Sequence, residues 1–294
     1  MAKSLKEKLE EKKFVITVEV DPPKGADPWG TYEKVHPLAK MVDAVNIADC
    51  PMARMKMSPI ALAHLVQNTM GLETIFHLTC RDRNILGLQS ELLGAYAMGV
   101  KNILAVTGDS PKKGDHPNAK GVYEFNSIGL IEVAHKLNQG YDFEGHSLED
   151  GTDFFVGAVL NPTAPNIDAE LQRIDNKIKS GADFFQTQPV FDIRQLEEFM
   201  NQASHIDVPI IYGLMPLKSL KLANYLNKNV PGIHVPDRLL ARLEEKGREA
   251  GIEIARELYQ AMKEMVHGVH IFPMGDPSMV KSFLMESENI QSET

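Results

Sequence analysis

The sequence predicts an α/β protein, a (β/α)8 TIM barrel with extra helices before its last strand. Eight apolar, β-like runs bounded by Gly, Pro, Asn or Asp recur along the 294 residues, and eight is the number that closes a barrel. Helix-period segments fill most of the gaps, and strands alternating with helices imply a parallel sheet. The turn after the first run, Asp21-Pro22-Pro23-Lys24-Gly25, carries no G-x-G-x-x-G, which argues against an open dinucleotide-binding sheet. A barrel of this kind occupies about 250 residues, so residues 1–294 are read as one domain.

The elements follow in order. A Lys/Glu-rich amphipathic start predicts a helix over about 3–12. Strands are expected at 14–20, 44–48, 74–78, 102–107, 153–159, 183–188, 208–214 and 268–272. Helices are expected at 32–41, 58–70, 85–98, 127–139, 167–180, 193–203 and 218–227. Gly99 and Gly181 stand just past helical segments, where a C-cap needs a left-handed residue. Three segments break the rhythm: a polar loop at 110–123, an acidic insertion at 139–152, and a helix-rich stretch at 236–267 read as one or two extra helices. Long loops on the strand-exit side often wall a binding site. The polar tail, about 286–294, is expected to fray.

Hydrophobic residues make up 43% and charged residues 24% of the chain, ordinary for a globular protein with a substantial core. A formal charge of -9 argues against a general nucleic-acid binder, because phosphate binding needs a basic field. No apolar run approaches the ~20 residues of a membrane span, and the start does not read as a secretion signal, so the expected compartment is the cytoplasm. Cys50 and Cys80 lack C-x-x-C spacing. A metal shared by Cys50, His77 and Cys80 would need neighbouring strands. Inert packing is the commoner role of such cysteines, and no metal site is assigned.

Chemistry in such folds gathers at the strand exits. There the chain offers Glu19, Asp49, His77, Thr79, Thr107, Asp109, Asn161, Gln186, Gln188 and Asp192. Alternation places Glu19 on the face of Val15 and Thr17, where it is either catalytic or bonded to loop amides. An apolar mouth would raise its pKa toward neutrality and make it a proton donor. Thr107-Gly108-Asp109 suits either close approach by a flat ligand or a plain Asp-stabilised turn. His77 reads more readily as a satisfied core histidine than as a ligand contact. Glu170, Arg173 and Lys177 share one helix face, which composition alone assigns to a salt-bridged surface.

Set in order, Val18-Glu19-Val20-Asp21-Pro22-Pro23, His77-Leu78-Thr79-Cys80, Thr107-Gly108-Asp109-Ser110-Pro111, the run from Lys177 through Gln188 to Asp192, and Gly213-Leu214-Met215-Pro216 resemble the methylenetetrahydrofolate reductases. These are flavin-dependent barrels of one-carbon metabolism, including methionine biosynthesis, and the likeness runs from about Phe14 to Phe272. It implies reduction of 5,10-methylenetetrahydrofolate to 5-methyltetrahydrofolate by hydride from reduced flavin, with FAD, or else FMN, as cofactor. It implies that Glu19 assists protonation at N10, that Asp109 lies beside the flavin and pterin, and that Gln188 hydrogen-bonds folate or nicotinamide. Cofactor contacts fall on His77, Thr79, Thr107, Gly108, Asp109, Ser127, Glu170, Arg173 and Lys177, and substrate contacts on Gln188 and Leu220. The helical stripe thereby changes from a surface to a cofactor wall.

The departures from the family pattern concern the electron source. Thr107 stands where the best-known bacterial branch has an arginine, Leu220 where it has an aromatic, and Ala48 where it has a threonine. The last strand exits through Phe272-Pro273-Met274-Gly275-Asp276 without the expected arginine. The pattern is more similar to the reductase half of fused homocysteine methyltransferases and to anaerobe enzymes. It implies electrons from NAD(P)H or from an electron-donating partner subunit, a cysteine-rich metal protein in some anaerobes, and so an oligomer or hetero-complex. Two other readings are a folate-binding barrel subunit without independent catalysis and a non-redox pterin methyltransferase.

Overall fold

The computed structural model describes residues 3–230 and 232–291. Eight parallel strands close a barrel in sequence order: β1 (Val15–Val20), β2 (Ala44–Ile47), β3 (Glu73–Thr79), β4 (Asn102–Val106), β5 (Phe155–Leu160), β6 (Phe184–Pro189), β7 (Ile210–Leu214) and β8 (Gly268–Ile271). Each expected strand is present, within one or two residues at either end. The helices are α1 (Leu5–Glu10), α2 (Trp29–Val35), α3 (Pro59–Met70), α4 (Ile85–Ala97), α5 (Ser127–Asn138), α6 (Ile167–Lys179), α7 (Ile193–Gln202), α8 (Leu220–Asn229), α9 (Asp237–Lys246), α10 (Arg248–Lys263) and α11 (Pro277–Gln291). The extra helices expected before the last strand are α9 and α10. Gly99 and Gly181 follow their helices at φ +78° and +105°, as the expected caps require.

Two differences have local causes. The helix expected at 32–41 begins earlier, at Trp29, whose N–H is held by the Asp27 carboxylate, and gives way to a 3-10 turn at His36–Leu38 around Pro37. In the segment expected to fray, α11 carries helical backbone through Gln291, and residues 292–294 lie outside the described residues. Asp276 supports the start of α11 by accepting from Met279 N–H at 3.4 Å.

Period-2 alternation sorts the strand side chains into two cores. Outward residues such as Val18, Val45, Phe76, Ile103 and Val156 pack under the helices. Inward residues Val15, Ala44, Ile75, Leu104, Phe155, Phe184 and Ile211 meet Leu5 and Leu9 of α1, which plugs the N-terminal mouth. Phe155 and Phe184 stack there at 4.7 Å, and the room for the Phe184 ring comes from Gly157, where a Cβ would overlap it. With the bottom filled, the barrel interior opens only at the strand exits. No helix among the described residues is long and apolar enough to cross a membrane.

Candidate active site at the strand exits

Above the apolar plug the barrel interior turns polar. Asn46 Nδ2 donates to Gln186 Oε1 at 2.6 Å and lies 3.0 Å from His77 Nε2. Gln186 Nε2 returns a bond to Asn46 Oδ1 at 3.2 Å and reaches Thr17 Oγ1, also at 3.2 Å. Thr17 Oγ1 is 2.9 Å from His270 Nδ1, and His270 Nε2 is 3.9 Å from Glu19 Oε2. A continuous polar string thus joins His77 on β3 to Glu19 on β1 through β2, β6 and β8. Thr17, Asn46, Gln186 and His270 are all at most 2% exposed, so each polar atom must be satisfied inside the string.

The string sets protonation states. The two Asn46 amide hydrogens go to Gln186 and His77, so His77 Nε2 accepts and Nδ1 carries the proton. Burial pushes His77 down to about 4, hence it is neutral near pH 7. Glu19 departs from the sequence expectation of a raised pKa. Burial does push its carboxyl up, but the contact with His270 outweighs that and holds it below the usual carboxylate range. The reason is a partner 251 positions away in sequence: His270 faces Glu19 across the β1–β8 seam, where Thr17 pairs with His270.

A second feature is a cavity of about 460 Å³ at the exits of β4, β5 and β6. Thr107, Ser127, Glu170, Arg173, Lys177 and Gln188, all expected site residues, line it, with Val106, Val159, Leu160, Asn161 and Val230. The helical stripe is therefore only partly a surface: Glu170 and Lys177 are buried while the Arg173 side chain is 65% exposed. Glu170 Oε1 accepts the Asn161 N–H at 2.9 Å and Oε2 accepts from Arg173 at 3.2 Å; Lys177 donates to the Val159 carbonyl. Burial pushes the Lys177 pKa down, against the Glu170 field that raises it. Thr107 Oγ1 accepts the first N–H of α5, from Ser127, at 3.1 Å.

Loops wall the mouth between the two features. Asp49 Oδ2 accepts the Thr79 N–H and hydroxyl, both at 2.9 Å, and Arg83 Nη1 at 2.7 Å, which fixes Thr79 at the end of β3. Gly108 sits at φ +93°, and a Cβ there would lie 3.0 Å from Thr79 Cβ and 3.1 Å from Arg81 Cβ. The loop expected at 110–123 folds back, with Val122 and Tyr123 N–H bonded to Arg81 and Cys80 carbonyls and the Tyr123 hydroxyl to the Asp109 carbonyl. Asp109 itself is exposed.

Not every expected residue joins the site. Asp192 caps α7 through Arg194 N–H and pairs with Arg194 and Arg238 beside a separate small cavity. Leu220 opens α8 and packs partly buried against the outer core, whereas Val230, from the far end of that helix, lines the cavity. Cys80 is buried in the outer core, and Cys50 Sγ faces the Lys56 carbonyl. Thr17, Asn46 and His270 were missed in the sequence. The detectable signal was polar residues on the inward phase of apolar strands.

A mixed lining of hydroxyls, a guanidinium, an ammonium, an amide and aliphatic side chains, beside a glycine that a Cβ would crowd, fits a flat ring system with a polar edge and a phosphate-bearing tail. Comparisons with known proteins identify a family. The sequence model of the family described as methylenetetrahydrofolate reductase matches residues 4–288. Methylenetetrahydrofolate reductase 2 of Saccharomyces cerevisiae is 29% identical over 231 residues, 72% of this chain and 36% of the relative. The 5,10-methylenetetrahydrofolate reductase of Pectobacterium carotovorum is 25% identical over 220 residues, 71% of this chain and 67% of the relative. The chain spans about a third of the length of the long eukaryotic relatives it matches. Among solved structures, an uncharacterized protein from Clostridium thermocellum that binds two copies of 5-methyl-5,6,7,8-tetrahydrofolic acid superposes at a TM-score of 0.69, with 16% identity and 99% of both chains covered. An oxaloacetate acetylhydrolase also superposes, at 0.54 and 11% identity over 97% of this chain and 84% of that one, so the barrel alone does not specify the chemistry.

Proposed function

The chain belongs to the methylenetetrahydrofolate reductase family, and from that premise we propose that it reduces 5,10-methylenetetrahydrofolate to 5-methyltetrahydrofolate with a bound flavin, FAD in the first instance. The observation that carries the reading is the cavity that collects Thr107, Ser127, Glu170, Arg173, Lys177 and Gln188 from four separate segments. Arg173 and Lys177 supply the positive charge for a phosphate tail, and Thr107 and Ser127 supply hydroxyls for a polyol chain. When bound, the flavin supplies the hydride. Gln188, on the strand whose Gln186 reaches Thr17 of β1, offers an amide to the pterin or nicotinamide ring. Asp109 lies at the exposed end of β4 beside Gly108, and neutral His77 keeps its Nδ1–H as a donor. Glu19 is the acid for N10 as the ring opens, and bound folate must first raise its pKa from the lowered resting value. Two unpaired cysteines fit a reducing compartment, the cytoplasm.

The test is the absorption spectrum and cofactor mass of the purified protein. Flavin absorption that a reductant bleaches and methylenetetrahydrofolate restores is expected. Adding NADH, NADPH or a reduced iron–sulfur protein in turn identifies the electron donor. A colourless preparation that binds neither added FAD nor FMN sinks the flavin reading.

A further inference from the structure

The outward stripe of α2 and of the turn after it is left uncovered among the described residues. Thr31 and Val35 turn inward and are buried, while Trp29, Glu33, His36 and Lys40 are exposed and Tyr32 is half-buried. These five positions follow the i, i+3, i+4, i+7, i+11 spacing of one helical face. The stripe borders a cavity of about 850 Å³ on the outside of the barrel, which Thr69 and Met70 at the end of α3 also line. Trp29, the one tryptophan of the chain, stands there 62% exposed, its ring edge-on to Tyr32 at 6.3 Å. Among the described residues, no ion pair or side-chain hydrogen bond engages Glu33, His36 or Lys40.

We propose that this groove is a two-fold interface between two copies of this chain. The stripe is complementary to its own reversal. A two-fold axis passing between Lys34 and Val35 sets two such stripes antiparallel, so that Trp29 meets Lys40 of the second copy, Tyr32 meets Pro37 and Glu33 meets His36, each contact being made twice. The Lys40 ammonium over the indole face is a cation–π contact. Tyr32 against Pro37 is an apolar pair, and the Glu33 carboxylate accepts from the His36 ring. Stacked in parallel, the same stripes would set Lys40 on Lys40 and Glu33 on Glu33, which like charges forbid. A partner of unrelated sequence gives no reason for the stripe to match its own reversal, whereas a second copy requires it. The exposed indole beside an apolar groove is the aromatic anchor on which such interfaces depend. The contact lies on the flank of the barrel, between α2 and the end of α3, and does not depend on the reductase reading.

The experiment is sedimentation equilibrium of the full chain over a dilution series, with the emission of its single tryptophan followed over the same series. Expected are a dimer and a blue shift of the emission as it forms, because Trp29 itself is then covered. Trp29→Ala should weaken association by roughly 30-fold or more. Glu33→Lys sets a cation opposite His36, and His36→Glu sets two carboxylates opposite each other, so each alone should weaken the dimer by roughly tenfold. An equimolar mixture of these two variants should restore it: the new lysine then faces the new glutamate, and the remaining Glu33 faces the remaining His36. That rescue also shows that both variants fold. A monomer at every concentration overturns the proposal, and the groove then serves another occupant. A dimer that all three variants leave intact, or losses in Glu33→Lys and His36→Glu that mixing does not repair, overturns it as well.

Discussion

Replacing Glu170 separates a ligand contact from a structural support. Its side chain is 8% exposed, and each oxygen is engaged, Oε1 by Asn161 N–H and Oε2 by Arg173. Glu170→Ala strands the Asn161 amide, and losing a buried bond to a charged acceptor costs about 1.5–3 kcal/mol. The Arg173 pair adds at most about 0.5 kcal/mol, since that guanidinium is 65% exposed. Lys177 then keeps its burial but loses the carboxylate field that opposes it, for about 1 kcal/mol more. The sum is about 2.5–4.5 kcal/mol, a fall in Tm on the order of 4–7 °C for a chain of this length. Glu170→Gln retains an acceptor for Asn161 and should lose only about half as much. Urea unfolding followed by circular dichroism, without added cofactor, measures both. If both variants fall within about 0.5 kcal/mol of the unsubstituted protein yet bind flavin weakly, Glu170 is a cofactor contact and the support argument is wrong.

Acid should destabilise the protein through His77, whose ordinary pKa of 6.5 is pushed to about 4 in the fold. Its contribution is complete above pH 6.5 and is lost as pH falls toward 4, on the order of 3 kcal/mol in all; a urea midpoint of His77→Asn that drops as steeply over that window contradicts this. Gly108→Ala puts a Cβ 3.0 Å from Thr79 at φ +93°, so about 2–3 kcal/mol of stability and a large part of flavin affinity should go together; unchanged fluorescence titrations would rule it out. Asp49→Asn weakens three bonds on one oxygen and leaves Arg83 without its buried counter-charge, costing about 2–4 kcal/mol in thermal or urea melts.

Much of the barrel was legible because its signals are local. Each strand end is a change from apolar to polar residues, and caps such as Asn84, Asn126, Asn166 and Ser219 lie beside the helices they start. α11 was missed although Asp276-Pro277 is a start signal, because the polar tail beyond it outweighed that signal. The cavity wall was half legible: the spacing of Glu170, Arg173 and Lys177 gave a shared face, but composition could not tell a buried face from a wet one. Asp192 misled for a related reason, since a carboxylate after a strand serves equally as a helix cap.

The sequence by itself determined the strand count, the alternation and the family, because these depend on neighbours in the chain and on motifs in order. Only closure of the barrel decided which polar residues meet. Thr17 and His270 are 253 residues apart and become partners because β1 and β8 pair, and Gln186 reaches Asn46 and Thr17 across the interior. The sign of the Glu19 shift follows from that closure. Burial, which a sequence can suggest, raises the pKa of a carboxyl, whereas the His270 contact that lowers it comes from the other end of the chain.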